Sequence, residues 1–131
     1  MNLNFFSSIN HDKRGSLISI ELEKFKLFKI KRFFIIDFKN KSVRGNHAHK
    51  KCKQFFICLK GKIKVHLLSK TQQFNTILNK DLKKGLYVEQ KTWNTLEPVS
   101  KDCQILCLCD MQYSKNDYIN DFEKFKKIYK I

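Results

Sequence analysis

Apolar and polar residues alternate with period two along most of this chain. A strand sends successive side chains to opposite faces, so this pattern predicts half-buried β-strands. Ser16–Glu21 is a short strand entered through the turn Asp12-Lys13-Arg14-Gly15. Leu27–Phe38 is dense in Phe and Ile and predicts the strongest strand. Asn40-Lys41-Ser42 turns into a strand that carries His47 and His49. Phe55, Ile57 and Leu59 then alternate against Gln54, Phe56 and Cys58, and Lys60-Gly61 turns into Lys62–Leu68. Phe74–Leu78, Leu86–Val88, Trp93–Leu96 (closed by Pro98) and Cys103–Cys109 complete the set. At the C-terminus the period changes. Tyr118, Phe122, Phe125 and Tyr129 recur at helical spacing behind Ser114-Lys115-Asn116-Asp117, which resembles a capping box. Short strands with a turn about every ten residues predict an antiparallel sandwich or barrel, and strand-borne polar side chains pointing inward suit a jelly roll. Met1–His11 is short and mixed, with Phe5, Phe6 and Ile9 its candidates for burial. No repeat, linker or low-complexity segment interrupts the pattern, so residues 1–131 are expected to form a single domain.

Charge changes the picture in one respect. Lys and Arg number 27 against 12 Asp and Glu, a formal +15, which favours anionic partners. The lysines are scattered and no compact Arg-rich arm is present, so no nucleic-acid partner is expected. No apolar run approaches the ~20 residues that span a bilayer, and no membrane partner is expected either. Five cysteines with no secretory signal point to reduced thiols in a cytoplasmic protein. Cys103, Cys107 and Cys109 share a strand face, where i,i+2 neighbours stand about 6.5–7 Å apart. That spacing suits small buried hydrophobes better than one metal ion.

The candidate chemistry lies in Arg44–Gly61, reading R-G-N-H-A-H-K-K-C-K-Q-F-F-I-C-L-K-G. His47 and His49 leave one strand face together, an arrangement open to an acid/base pair, two thirds of a metal site, or a pair of core histidines. Arg32 is costly to bury unless paired, so it faces solvent or an anionic ligand. Arg14, beside a glycine at a strand entrance, is either a solubilising charge or an anion ligand. Trp93 is either core or a stacking surface.

The glycine, the two histidines, Gln54 and Gly61 resemble the first cupin motif, with Gln54 at the usual Glu position. Across the whole chain the sequence is similar to the dTDP-sugar 3,4-ketoisomerases of that superfamily. The pieces that carry this are Arg14-Gly15-Ser16-Leu17, Lys31-Arg32, Arg44-Gly45-x-His47-Ala48-His49-Lys50, Gln54, Gly85-Leu86-Tyr87-Val88, Trp93, and the tail Asp117-Tyr118-Ile119 with Phe125-Lys126-Lys127. The resemblance implies a mainly β, single-domain cupin-type antiparallel barrel with a C-terminal helix, working as a homodimer without cofactor or metal. It also implies a dTDP-linked 4-keto-6-deoxyhexose as substrate, whose keto group moves from C4 to C3. His47 and His49 would then be catalytic, His47 as the C3 base and His49 as the C4 proton carrier, with the two roles exchangeable. Arg14, Arg32, Arg44, Gln54 and Trp93 would bind the substrate. Two positions depart from the pattern: Phe33-Phe34 stand where tyrosine is expected, and Asn94 where His is expected. A sugar-nucleotide epimerase, a non-catalytic sugar-nucleotide-binding cupin and a metal-dependent dioxygenase are the alternatives on this scaffold.

Overall fold

A computed structural model describes residues 2–5 and 8–131. Its strands are β1 (Asn2–Phe5), β2 (Ser8–Asp12), β3 (Gly15–Ser19), β4 (Arg32–Asp37), β5 (Arg44–His49), β6 (Gln54–Lys60), β7 (Lys62–Leu68), β8 (Gln73–Asn79), β9 (Lys84–Val88), β10 (Trp93–Pro98), β11 (Gln104–Cys109) and β12 (Tyr118–Ile119), followed by the helix α1 (Phe122–Tyr129). Two five-stranded antiparallel sheets form, in the orders β1-β9-β6-β11-β4 and β12-β5-β10-β7-β8, and β2-β3 stands apart as a hairpin. Leu78, Ile63, Val65, Leu67 and Leu96 from one sheet pack against Phe56, Leu86, Ile105 and Cys107 from the other in a single core. This is the expected jelly-roll layering, with two inner faces enclosing the interior.

The two ends of the predicted pattern shift. The expected strand Leu27–Phe38 begins only at Arg32. Leu27, Phe28 and Ile30, with Phe25, instead lie across the outer face of the first sheet on Phe55, Ile57 and Leu108. Phe25 meets Phe55 edge-on at a ring separation of 5.2 Å. These residues are apolar because they roof a sheet, and β6 becomes buried on both faces as a result. At the other end, Ser114–Asp117 does not cap α1. Lys115–Asp117 is a single 3₁₀ turn, Tyr118–Ile119 pairs with β5, and the cap is Asp121, whose carboxylate accepts from the Lys124 amide. Helix α1 then lays Phe125 on Ala48, Trp93 and Ile119, covering the outer face of the second sheet. The proposed burial of Phe5, Phe6 and Ile9 falls on side chains outside the described residues. Among the described residues no helix is long and apolar enough to cross a membrane.

Candidate active site

Pairing register decides which side chains see the interior. On β5 and β10, His47 stands opposite Asn94 and Ala48 opposite Trp93. His47, with Gly45 and Asn94, lines a cavity of about 660 Å³ between the sheets, whereas Ala48 and Trp93 face α1. Phe34, Ile36, Gln54, Phe56, Ile105 and Cys107 line it from the first sheet, and Tyr113, Lys115, Tyr118 and Asn120 from the C-terminal segment.

The two imidazoles share this face as their spacing predicts, with ring centres 5.1 Å apart and planes nearly perpendicular. Tyr118 completes the cluster, its ring 5.1 Å from His47 and 4.4 Å from His49. Its place follows from β12, which sets Tyr118 directly opposite His49. The preceding residue reaches further in. The Asp117 carboxylate sits 2.9 Å from His49 Nδ1, with both side chains only 4% exposed. It also accepts from the Lys51 amide at 2.7 Å and the Cys52 amide at 3.4 Å. A buried carboxylate so held keeps a proton on Nδ1, which leaves Nε2 as the reactive nitrogen. Nε2 is itself buried and has no hydrogen-bond partner.

Burial and then the neighbouring His49 push the His47 pKa down to about 4, against an opposing backbone hydrogen bond at Gly45, with a lesser push from the charge of Arg44. His47 is therefore a neutral imidazole at physiological pH. Gly45 makes the approach of β5 to β10 possible. Its φ is +81°, and a Cβ there would stand 2.6 Å from Asn94 Oδ1 and 2.9 Å from the Asn94 carbonyl oxygen. Asn94, buried, donates in turn to the His47 carbonyl at 3.3 Å.

Arg32, Cys109 and Gln54 form a row across β4, β11 and β6. Arg32 donates to Cys109 Sγ at 3.5 Å and Gln54 Nε2 donates to it at 3.7 Å. The contacts from Cys107 and Cys52, then those from Arg32 and Gln54, hold the Cys109 pKa below the usual thiol range against the opposing effect of burial. The Arg32 guanidinium also lies near the Tyr118 hydroxyl and over the rings of Phe34 and Tyr113. Burial raises the Tyr118 pKa, and the guanidinium pulls it back. All five cysteines are buried and free, and Cys103, Cys107 and Cys109 share the core with Ile105, as the strand-face reading expects.

Of the residues singled out in the sequence, His47, Gln54 and Arg44 line the cavity, His49 lies buried against His47 and Tyr118 at its wall, and Arg32 approaches it beside Tyr118. Arg14 does not; it is 90% exposed on the β2-β3 hairpin and pairs with Asp12 at 2.7 Å. Trp93 points out of the barrel against Phe122 and Phe125. Asp117, Tyr118, Tyr113 and Lys115 were not read as site residues, although the Asp117-Tyr118-Ile119 tail was part of the resemblance. A helix reading of that tail conceals their direction.

The family model described as "FdtA: WxcM-like, C-terminal" matches residues 1–130. The chain belongs to this family. A curated relative, the TDP-4-oxo-6-deoxy-alpha-D-glucose-3,4-oxoisomerase of Aneurinibacillus thermoaerophilus, is 38% identical over 117 residues, covering 88% of this chain and 84% of that protein. Among solved structures, the sugar 3,4-ketoisomerase QdtA of Thermoanaerobacterium thermosaccharolyticum in complex with TDP superimposes with a TM-score of 0.86 at 32% identity, over 98% of this chain and 93% of that one. A 3,4-ketoisomerase from Helicobacter canadensis gives 0.85 at 30% identity, over 99% and 97%. Family membership and the site chemistry thus agree: a pair of imidazoles, a carboxylate partner and a phenol are groups that move protons.

Proposed function

We propose that this chain is a 3,4-ketoisomerase of a dTDP-linked 4-keto-6-deoxyglucose, working by proton transfer in the cavity between its two sheets. The observation that carries the reading is the pair of touching imidazoles on one strand face, His47 lining the cavity and His49 behind it buttressed by a buried carboxylate. The 38% identical relative is named for this reaction, and one QdtA structure holds TDP-4-keto-6-deoxyglucose.

The reaction needs four proton movements. The C3–H proton leaves carbon and the C4 carbonyl oxygen gains one, giving an enediol. The C3 hydroxyl then loses its proton and C4 carbon gains one. His47, neutral and lining the cavity, takes the C3 proton. His49 delivers the C4 proton, because Asp117 stabilises the imidazolium that must form on the way. Tyr118 packs against both rings and serves the oxygen-centred transfers, with the Arg32 charge beside it. It supplies the phenol that Phe33 and Phe34 do not. Arg44 and Lys115 at the cavity wall face the pyrophosphate, and Gln54 orients the sugar. No step calls for a cofactor or metal ion, and turnover should survive exhaustive chelation.

The working unit is a homodimer in the cytoplasm, with five reduced thiols suited to that compartment. Leu17 and Leu22 are 59% and 68% exposed near the isolated hairpin, and Phe33 is 67% exposed on the edge strand β4, an apolar set that a second copy would cover. Arg14 on that hairpin would reach an anion only across such an interface. A stable, active monomer in light scattering at micromolar concentration would contradict the dimer.

The deciding experiment is incubation of the purified protein with dTDP-4-keto-6-deoxyglucose in deuterated water, followed by NMR. A 3-keto product with deuterium at C4 is expected; unchanged substrate, or epimerisation without keto transfer, would overturn the assignment. His47→Asn should abolish exchange of the C3 proton, whereas His49→Asn should retain exchange and form no product.

A further inference from the structure

Behind the reacting face, a third polar side chain joins the His49–Asp117 pair. Cys52 Sγ, a ligating nitrogen of His49 and a carboxylate oxygen of Asp117 all lie within 4.8 Å of one another, and all three residues are buried. The catalytic proposal uses only two of them. Cys52 follows the β5 strand by three residues, and its backbone amide is already tied to Asp117, so the thiol is held beside the pair by the same turn.

We infer that His49, Cys52 and Asp117 form a binding site for a thiophilic divalent cation of the Zn²⁺ class, and that its occupation switches the enzyme off. Three arguments support this. The donor set is one imidazole, one thiolate and one carboxylate, the mixture that tetrahedral zinc takes, and it leaves a fourth position open. Charge closes as well: one thiolate and one carboxylate neutralise a divalent ion, so the occupied site holds no net charge in a buried place. The geometry is within reach, since ligand bonds of about 2.0 Å to N and O and about 2.3 Å to S need donors somewhat over 3 Å apart. His49 Nδ1 and Asp117 Oδ2 already stand at 2.9 Å.

Inhibition follows from the tautomer. Without metal, Asp117 keeps the proton on Nδ1 and leaves Nε2 to exchange protons. A cation on Nδ1 displaces that proton to Nε2, which then can neither accept a proton nor readily release one. The Cys52 thiol gives up its own proton to solvent. Metal binding goes beyond the isomerase reading, while the inhibitory consequence rests on it, so the two are measured separately.

Binding is tested on the full reduced chain with Co²⁺, whose thiolate charge-transfer absorption in the near ultraviolet reports a Co–S bond without any turnover. The expected result is a saturable band in the wild type that Zn²⁺ displaces. It should be lost in Cys52→Ala, retained in Cys107→Ala and in Cys58→Ala, and weakened at least about 100-fold in affinity in Cys52→Ser, a larger penalty than loss of an outer partner. No band in the wild type, or a band intact in Cys52→Ala, overturns the site. Unchanged circular dichroism of Cys52→Ser and Cys52→Ala confirms that the loss is of a ligand. In the activity arm, Zn²⁺ should inhibit wild-type turnover reversibly by chelator, while Cys52→Ala retains basal turnover and escapes inhibition. Zn²⁺ that binds through Cys52 yet leaves turnover unchanged overturns the switch. Protein that binds Co²⁺ but never isomerises the sugar contradicts the proposed function and leaves the binding site standing.

Discussion

Asp117 and His49 lie 68 residues apart in the chain and 2.9 Å apart in the fold. The carboxylate accepts from the imidazole and from two backbone amides of the turn that follows β5, so it fixes both the ring and the strand end that carries it. Replacing Asp117 by Asn puts an N–H where the acceptor was and reverses the preferred tautomer. Turnover should fall by about 10²–10⁴, with a shift of the pH profile that a purely structural defect would not give. A normal rate and an unshifted profile in Asp117→Asn would remove Asp117 from the mechanism.

His47 makes stability depend on pH in a defined window. Its folded pKa is about 4, against 6.5 for the ordinary group. Between those values the unfolded chain binds more protons than the folded one, so this residue makes stability fall as pH drops from 6.5 to about 4, and contributes no slope above 6.5. Denaturant unfolding across that range, with chelator present, should show a shallower acid loss in His47→Asn than in wild type. Equal slopes would mean that the ring titrates normally.

Tyr118 touches both imidazoles, and the charge of Arg32 lies near its hydroxyl. Tyr118→Phe keeps the ring packing and removes only the oxygen. It should leave thermal stability nearly unchanged and lower kcat by about 10²–10³, the cost of one donor to a developing oxyanion. A variant with wild-type kcat would return the oxygen-centred steps to another group.

Gly45 holds a left-handed φ of +81° against Asn94. Gly45→Ala should destabilise the fold by about 1–3 kcal/mol and move His47 off the cavity, so KM and kcat should both worsen. An alanine variant with unchanged melting temperature would show that β5 can yield there without cost.

The strands were legible because alternation is a local property. From Gln54 to Leu68 each residue's parity gives its face, and His47 and His49 fall on one face for the same reason. The burial of the β11 thiols followed from the same parity. Parity does not say which face lies inward. Trp93 and His47 sit on adjoining strands and face opposite ways, because Ala48, not His47, is the partner of Trp93 in the register. Leu27, Phe28 and Ile30 are as apolar as a strand, yet they roof the outside of the first sheet, a demand set by that sheet and not by their own pattern. Asp117 and Tyr118 read as the first turn of a helix until β12 pairs with β5 and sets Tyr118 opposite His49. The sequence by itself determined a β-sheet protein with two histidines on one face. Only the tertiary structure decided that the face is interior, and that a carboxylate and a phenol from the far end of the chain complete it, because long-range pairing register is not encoded in any local window.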